Sequence, residues 1–411
     1  MRWLVMKNSV PKPWLHIIGI GEDGLDGLSP TARALLVNAE VIVGGDRHHG
    51  LGLNSKAERI AWPSPFDAMI ETLQSLKRRR AVVLVTGDPL WYSVGARISR
   101  ALPLGELEFH PQLSAFQLAA CRMGWSMADC ETLTVHGRPA EQVIAFIAPG
   151  NRLLVLTKDH ASPAAIARLL CDNGYGQSRM TALCAMGGQN EQRFAGIAHG
   201  WECAVPDFHT LAIECVADDS ARLLPLAGLP DSAFQHDGKM TKRAVRALTL
   251  AKLVPQRGAL LWDIGSGCGS VAIEWMRSAR EARAIGIEPL AKRRAMGAAN
   301  ALALGTPALQ LLDGKAPAAL HGLAAPDAVF IGGGLSRATI EAGMAALKPF
   351  GRMVANAVTL ESEAVLLKAY ARHGGELERI AIQTAEPIGS MQGWRAAMPV
   401  TQWSFCKSAK P

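Results

Sequence analysis

Gly265, Ser266, Gly267 and Gly269 follow directly on the short apolar run Leu260-Leu-Trp-Asp-Ile264, and a helical pattern from Val271 to Arg277 follows them. Glycines at the end of a strand admit a ligand to the backbone, and the helix behind them offers its free N–H groups. Glu288 closes the next apolar strand, Ala284-Ile-Gly-Ile-Glu288, 19 residues after Gly269. A carboxylate at that delay is placed to grip ribose hydroxyls. Asp263 stands just before the loop. Strand, glycines, helix and delayed acid in this order describe a cradle for a nucleoside-bearing cofactor. The spacing is G-x-G-x-G, not the G-x-G-x-x-G of dinucleotide enzymes, which argues against nicotinamide chemistry.

Other residues could serve the same cradle. Asp313-Gly314 ends the strand Leu309–Leu312, and Ile331-Gly-Gly-Gly334, centred on Gly333, ends an apolar strand with a floor free of side chains. Asn356 ends another strand on the same rim. Upstream, Gly238-Lys-Met-Thr-Lys-Arg-Ala-Val-Arg246 leads into a helix that Thr241 could cap. Lys242 and Arg246, four apart, share a helical face and would make a clamp for substrate carboxylates. The bland alternative is a solvated basic face. In the first half, strand-end loops recur at Gly19-Ile-Gly21, Gly44-Gly-Asp-Arg47, Gly87-Asp88-Pro89 and Gly187-Gly-Gln-Asn-Glu191. Such loops are where open α/β sheets bind ligands. His136 and Arg138 are candidates for substrate carboxylates, although a hydrogen-bonded core histidine is an equal reading for His136.

The elements that must position these groups alternate strand and helix throughout, so an α/β fold with mostly parallel sheets is expected. At 411 residues the chain needs more than one core. Residues 1–13 read as a leader, 14–217 as a first domain with a second lobe beginning near Pro111, 218–239 as a linker rich in Asp, Pro and Gly, and 240–411 as a second domain. Charged residues are 19% and apolar residues 49%, which excludes disorder. A net charge of +7 suits an acidic substrate, and with three tyrosines there is no basic strip with interleaved aromatics to suggest nucleic acid. No apolar run reaches a membrane span of about 20 residues. Eight cysteines without a C-x-x-C pair, and histidines without zinc spacing, point to reduced thiols in the cytoplasm and to no metal.

With Asp263 before it, the loop at 265–269 resembles the nucleotide loop of class I methyltransferases that use S-adenosylmethionine. In the first half, Gly19-Ile-Gly21, Gly44-Gly-Asp-Arg-His48, Thr86-Gly-Asp-Pro-Leu90 with Trp91-Tyr92, His136-Gly-Arg138, Thr157-Lys-Asp159 and Gly187-Gly…Glu191 together resemble the tetrapyrrole methylase family. The Gly-Gly-Asp-Arg-His and His-Gly-Arg elements point to its branch acting on carbon 5 of the corrin precursor. This resemblance implies S-adenosylmethionine held in a cleft between two α/β lobes, with Gly19, Gly21, Gly87, Asp88 and Pro89 along it and Ser114 near it. One departure is Gln112-Leu-Ser-Ala115, where that family usually has two small hydroxyl residues. The second half, through Gly228-Leu-Pro-Asp-Ser-Ala-Phe234, Met240-Thr-Lys-Arg243, Asp263–Gly269, Asp313-Gly314, Gly332–Gly334 and Ala355-Asn356, resembles the decarboxylating precorrin methyltransferases acting on carbon 15. That resemblance places Asp313 near adenine, and the Thr241–Arg246 segment on the substrate side. A tetrapyrrole is then the substrate, both halves methylate, and a homo-oligomer is implied. Two alternatives stay open: a half that only binds tetrapyrrole, and a cobalt-bearing substrate.

Overall fold

The computed structural model describes residues 13–50 and 56–409, so all but residue 13 of the expected leader lies outside the described residues. The chain forms two compact units, one up to Arg138 together with Ala148–Ala221, the other of Pro139–Ile147 and Arg222 onward.

In the first unit, β1 (Leu15–Ile20), β2 (Val41–Gly44), β3 (Glu58–Ala61), β4 (Ala81–Thr86) and β5 (Leu107–His110) make a parallel sheet in the order β3-β2-β4-β1-β5. Its inner strands are nearly continuous apolar runs because both faces are covered: Leu15, Ile17, Ile18, Ile20 and Ala81–Val85 are all buried. The helix Pro30–Val37 starts as its sequence dictates, with Pro30 in the first turn and the Ser29 side chain accepting a bond from the Ala32 amide. A second sheet contains β6 (Cys130–Thr134), β7 (Arg152–Leu156), β8 (Arg179–Cys184), β9 (Gln192–Ile197) and β10 (His209–Glu214), in the order β6-β7-β10-β8-β9. Only β6 and β7 run parallel here, so this lobe departs from the parallel expectation. The hairpin β8–β9 carries no apolar period on its exposed edge strand.

In the second unit, the strands are β11 (Leu260–Ile264), β12 (Arg283–Ile287), β13 (Gln310–Leu312), β14 (Ala328–Ile331), β15 (Arg352–Ala357), β16 (Glu376–Ile380), β17 (Gln383–Ile388), β18 (Met391–Ala396) and β19 (Val400–Cys406). Seven of them form one sheet in the order β13-β12-β11-β14-β15-β19-β16, parallel as far as β15, while β17 and β18 make a separate hairpin. Strand order reverses between β11 and β14, which opens a crevice at their carboxyl ends. Along β11, Leu260, Trp262 and Ile264 pack into one core, and Leu261 packs into the other beneath the helix Ser270–Ser278.

Residues 222–239, read as linker from their composition, are part of this second unit. Leu229 and Phe234 are buried against Cys268, Ile273, Ala301 and Leu304. The segment Pro139–Ile147 also belongs here: a Cβ on Gly305 would lie 2.5 Å from the Ala145 nitrogen. Pro and Gly content reports where the backbone turns, not what the turns dock against. Among the described residues no helix is long and apolar enough to cross a membrane.

Candidate functional site

The glycine cradle of the second unit lies at the reversal between β11 and β14. Gly265, at φ +71°, donates to the Ile287 carbonyl at 2.9 Å, and a Cβ there would lie 2.5 Å from the Gly333 backbone. Only glycine satisfies both the left-handed turn and that approach. Gly332 and Gly333 donate to the Ile264 carbonyl at 2.9 and 3.2 Å, fixing the floor below the loop. Gly269 caps the helix Ser270–Ser278 at φ +79°.

Two acids frame the loop. Glu288 is buried and accepts from the amides of Gly267 and Leu290, each at 3.0 Å. Asp263 is buried, and its Oδ2 accepts from the Ala272 amide at 3.1 Å. Its Oδ1 has no protein partner, nor has the buried Ser266 hydroxyl. Burial first, and then the nearby Glu288 carboxylate, push the Asp263 carboxyl up to about 7. Orphaned buried oxygens are costly unless a ligand or water answers them. These two, within a cradle that a Cβ would fill, fit a small polar ligand such as a nucleoside.

The rest of the expected set divides. Asp313 ends β13 with an exposed carboxylate held by Arg294 at 2.9 Å, beside Gly314. Asn356 is not isolated on the rim: its amide meets the buried Thr249 hydroxyl at 3.1 Å and the Gln402 amide at 2.9 Å. The Lys239 carbonyl lies 3.7 Å from a Cβ placed on Gly267, so the segment before the helix Arg243–Leu253 borders the cradle.

Arg246, however, is not a substrate clamp. It is fully buried, and its guanidinium binds Glu274 (2.6 Å), Asp231 (3.1 Å) and the Thr241 (2.7 Å) and Leu229 carbonyls, against the Phe234 ring. The helical spacing that put it beside Lys242 turns it inward, because Asp231 and Glu274 reach it from distant segments. Thr241 does not cap the helix either. The helix begins at Arg243, whose amide is answered by Asp231 at 2.9 Å, and Lys242 occupies the cap position with an exposed side chain.

The first unit offers a cleft between its two sheets. Gly19 and Gly87 meet backbone to backbone: a Cβ on Gly19 would collide with the Gly87 carbonyl. Gly87, at φ +63°, packs in turn against Leu113 and Ser114. Gly21, Glu22, Arg47, Thr86, Gly87 and Leu113 line the cleft together with Leu183, Ala185, Met186, Phe208, His209 and Thr210. Arg47 pairs with Glu22, donates to the Thr86 hydroxyl at 3.1 Å and lies 3.5 Å over the Phe208 ring. His48 accepts from the Gly45 amide through Nδ1 at 3.3 Å, and its Nε2 reaches the same hydroxyl at 3.1 Å. Burial, followed by the Arg47 charge, lowers its pKa to about 4, so this imidazole is neutral near pH 7.

Asp88 stabilises its own turn, accepting from the Leu90 amide at 2.7 Å, and Pro89 is buried behind it. Ser114 is a helix cap: its hydroxyl accepts from the Gln117 amide at 3.3 Å and donates to Oε1 of the same residue at 3.0 Å. His136 and Arg138 are exposed, which removes the core reading of His136. Arg138 lies 5.8 Å from the Tyr92 ring, so the His-Gly-Arg loop meets the loop after β4. There Trp91 and Tyr92 stand exposed over Phe116, at 5.5 and 5.8 Å. Phe208, Ala185, Met186 and Leu183 were not anticipated. Leu183, Ala185 and Met186 lie at or just past the end of β8 and Phe208 just before β10, strands paired antiparallel, and nothing local in their sequence marks a site.

Residues 14–197 match the family described as Tetrapyrrole (Corrin/Porphyrin) Methylases, and residues 232–407 match the Precorrin methyltransferase domain. A precorrin-6Y C(5,15)-methyltransferase [decarboxylating] of Sinorhizobium sp is 47% identical over 98% of this chain and 99% of its own. The protein of the same name from Mycobacterium tuberculosis is 38% identical over 95% and 99%. The solved C-terminal domain of precorrin-6Y C5,15-methyltransferase from Rhodobacter capsulatus is 51% identical, covering 45% of this chain and all of that one, with a TM-score of 0.43. Two domain matches in this order, and relatives alike over nearly their whole length, place the chain in the family of decarboxylating precorrin-6Y C(5,15)-methyltransferases.

Proposed function

We propose that this chain is a bifunctional S-adenosylmethionine-dependent methyltransferase of cobalamin biosynthesis. It methylates carbons 5 and 15 of precorrin-6B and removes the ring C acetate carboxyl as carbon dioxide, giving precorrin-8. The observation that carries the reading is the cradle of Gly265, Gly267, Gly269 and Gly333 with the unanswered oxygens of Asp263 and Ser266. S-adenosylmethionine, when bound, supplies an already activated methyl group. Asp263, Ser266, Glu288 and the loop amides would hold it in the second unit, with Asp313 and Gly314 bordering it. In the first unit the strand-end backbone of Gly19, Gly21 and Gly87, beside Asp88, Pro89 and Ser114, would hold it.

With a donor of that kind the protein need only align two carbons and exclude water. Alignment can lower a barrier by about 7–11 kcal/mol in favourable cases. A strong nucleophilic side chain is not required. In the first unit the shelf of Trp91 and Tyr92 suits one face of a flat macrocycle, and the exposed His136 and Arg138 are assigned to its peripheral carboxylates. In the second unit we assign Thr241 and the exposed Lys242, which follow the cradle-bordering Lys239, to the substrate side, without Arg246. Carbon 15 and the decarboxylation fall to this unit, carbon 5 to the first. The electron pair left by departing carbon dioxide passes into the conjugated macrocycle and a proton from water then completes the methyl group left behind, so the site need only turn the acetate out of plane. A homo-oligomer in the cytoplasm belongs to the same reading, and the hairpin β17–β18 supports association because Ile388, Met391 and Trp394 stand exposed on it.

Mass spectrometry of the purified chain with S-adenosylmethionine and precorrin-6B tests this. Two added methyl groups with loss of one carbon dioxide are expected. One methyl with that loss would leave only the second unit active. No change in mass would overturn precorrin-6B as substrate and favour a cobalt-bearing one or a binding role.

A further inference from the structure

On the first sheet, His16 of β1 and Glu108 of β5 are register partners, and His110 lies two residues beyond Glu108 on the same face of β5. Leu15, Ile17, Leu107 and Phe109 point to the opposite face, into a core. Three polar side chains thus interrupt a well-buried strand pair. The two imidazoles are largely withdrawn from water, at 17% and 12% exposure, while Glu108 is half open at 47%.

Their donor atoms converge. His16 Nδ1 lies 3.1 Å from Glu108 Oε2, His110 Nε2 lies 3.7 Å from the same oxygen, and the two nitrogens are 3.4 Å apart. Hydrogen bonds cannot close all three sides of this triangle at once. An imidazole nitrogen carries either one proton or one lone pair. If His16 Nδ1 donates to Glu108, it cannot accept from His110. If it accepts from His110, its lone pair faces the carboxylate. A cation at the centre uses all three lone pairs at once. For a tetrahedral ion with bonds of 2.0–2.1 Å, neighbouring ligand atoms stand about 3.3–3.4 Å apart. The three observed separations bracket that edge.

We propose that His16, Glu108 and His110 form a binding site for a first-row divalent metal ion such as zinc or cobalt(II), with water completing the shell on the open Glu108 side. Two imidazoles and one carboxylate suit such ions and not magnesium or calcium. The ion ties the edge strand β5 to β1. Because β5 runs on through Pro111 to Leu113 and Ser114, which pack against Gly87, the ion also holds one wall of the cleft.

The test uses the full chain, stripped with a chelator. Zinc is titrated by calorimetry, and cobalt(II) by its visible ligand-field absorption. One equivalent is expected to bind, with affinity at least tenfold weaker in His16→Ala and in His110→Ala. Zinc should raise the thermal midpoint of wild type and leave that of both variants unmoved. Glu108→Gln keeps the side-chain shape on the open edge, so it decides the matter if an alanine variant fails to fold. Weakened binding by a Glu108→Gln protein with unchanged circular dichroism supports the site. No binding by wild type, undiminished binding by the triad variants, or loss of the equivalent in the exposed His160→Ala instead would overturn it.

Discussion

The glycine cradle of the second unit and the cleft of the first would each bring a ligand against bare backbone, yet they are built in opposite ways. The cradle is one strand, one loop and one helix, and its decisive residues fall between Asp263 and Glu288. The cleft is assembled from segments as far apart as Gly21 and Thr210, and its backbone contacts join Gly19, Gly87 and Leu113. The electrostatics are also opposed. The cradle buries a carboxylate that burial pushes up, and beside the cleft, against Thr86, stands a half-buried imidazole that burial pushes down. Desolvation disfavours whichever form is charged, so one cause moves the acid and the base in opposite directions.

The largest effects should come from filling the two bare backbones. Gly265→Val places a branched side chain at a left-handed turn 2.5 Å from Gly333, and Gly19→Val drives one into the Gly87 carbonyl. Each should abolish one methylation and spare the other: carbon 15 for Gly265→Val, carbon 5 for Gly19→Val, scored by mass spectrometry. Loss of both reactions from either change would break the picture of two separate sites.

Next in size is Arg246→Ala. Removing the guanidinium leaves Glu274 buried without its charged partner, and breaking such a pair costs about 3–5 kcal/mol. Chemical denaturation should show that loss in the second unit, with KM for the tetrapyrrole unchanged in the folded fraction. A raised KM at unaltered stability would restore the substrate clamp.

Smallest per unit change are the effects of pH. Unfolded His48 titrates near 6.5 and folded His48 near 4, so between those values the unfolded chain holds more protons and stability rises with pH. Folded Asp263 titrates near 7 and unfolded Asp263 near 3.8, so in that window the folded chain holds more protons and stability falls as pH rises. Each slope is at most about 1.4 kcal/mol per pH unit. Comparing wild type with Asp263→Asn and with His48→Gln between pH 4 and 7 should remove one slope at a time. If Asp263→Asn leaves the profile untouched, that carboxyl is not held protonated.

How legible each region was follows from its contact range. The cradle could be read because strand pattern, glycines and the delayed acid are properties of about 30 consecutive residues. The helix Pro30–Val37 was legible for the same reason, its cap and proline being local. Arg246 was misread because helical spacing says which residues share a face, not whether that face meets water or Glu274. The antiparallel hairpin β8–β9 of the second lobe was not legible because its exposed edge strand has no periodic signal.

Residue order alone was enough to specify an α/β chain and to mark its glycine-bearing strand-end loops, since those depend on local φ, ψ and on the period of apolar residues. Folding decided the rest. It drew residues 222–239 and Pro139–Ile147 into the second unit, and set His16 beside His110 from 94 positions apart. These are pairings between distant segments. Their energy comes from burial and from hydrogen bonds closed across the fold, and no window of sequence contains both partners.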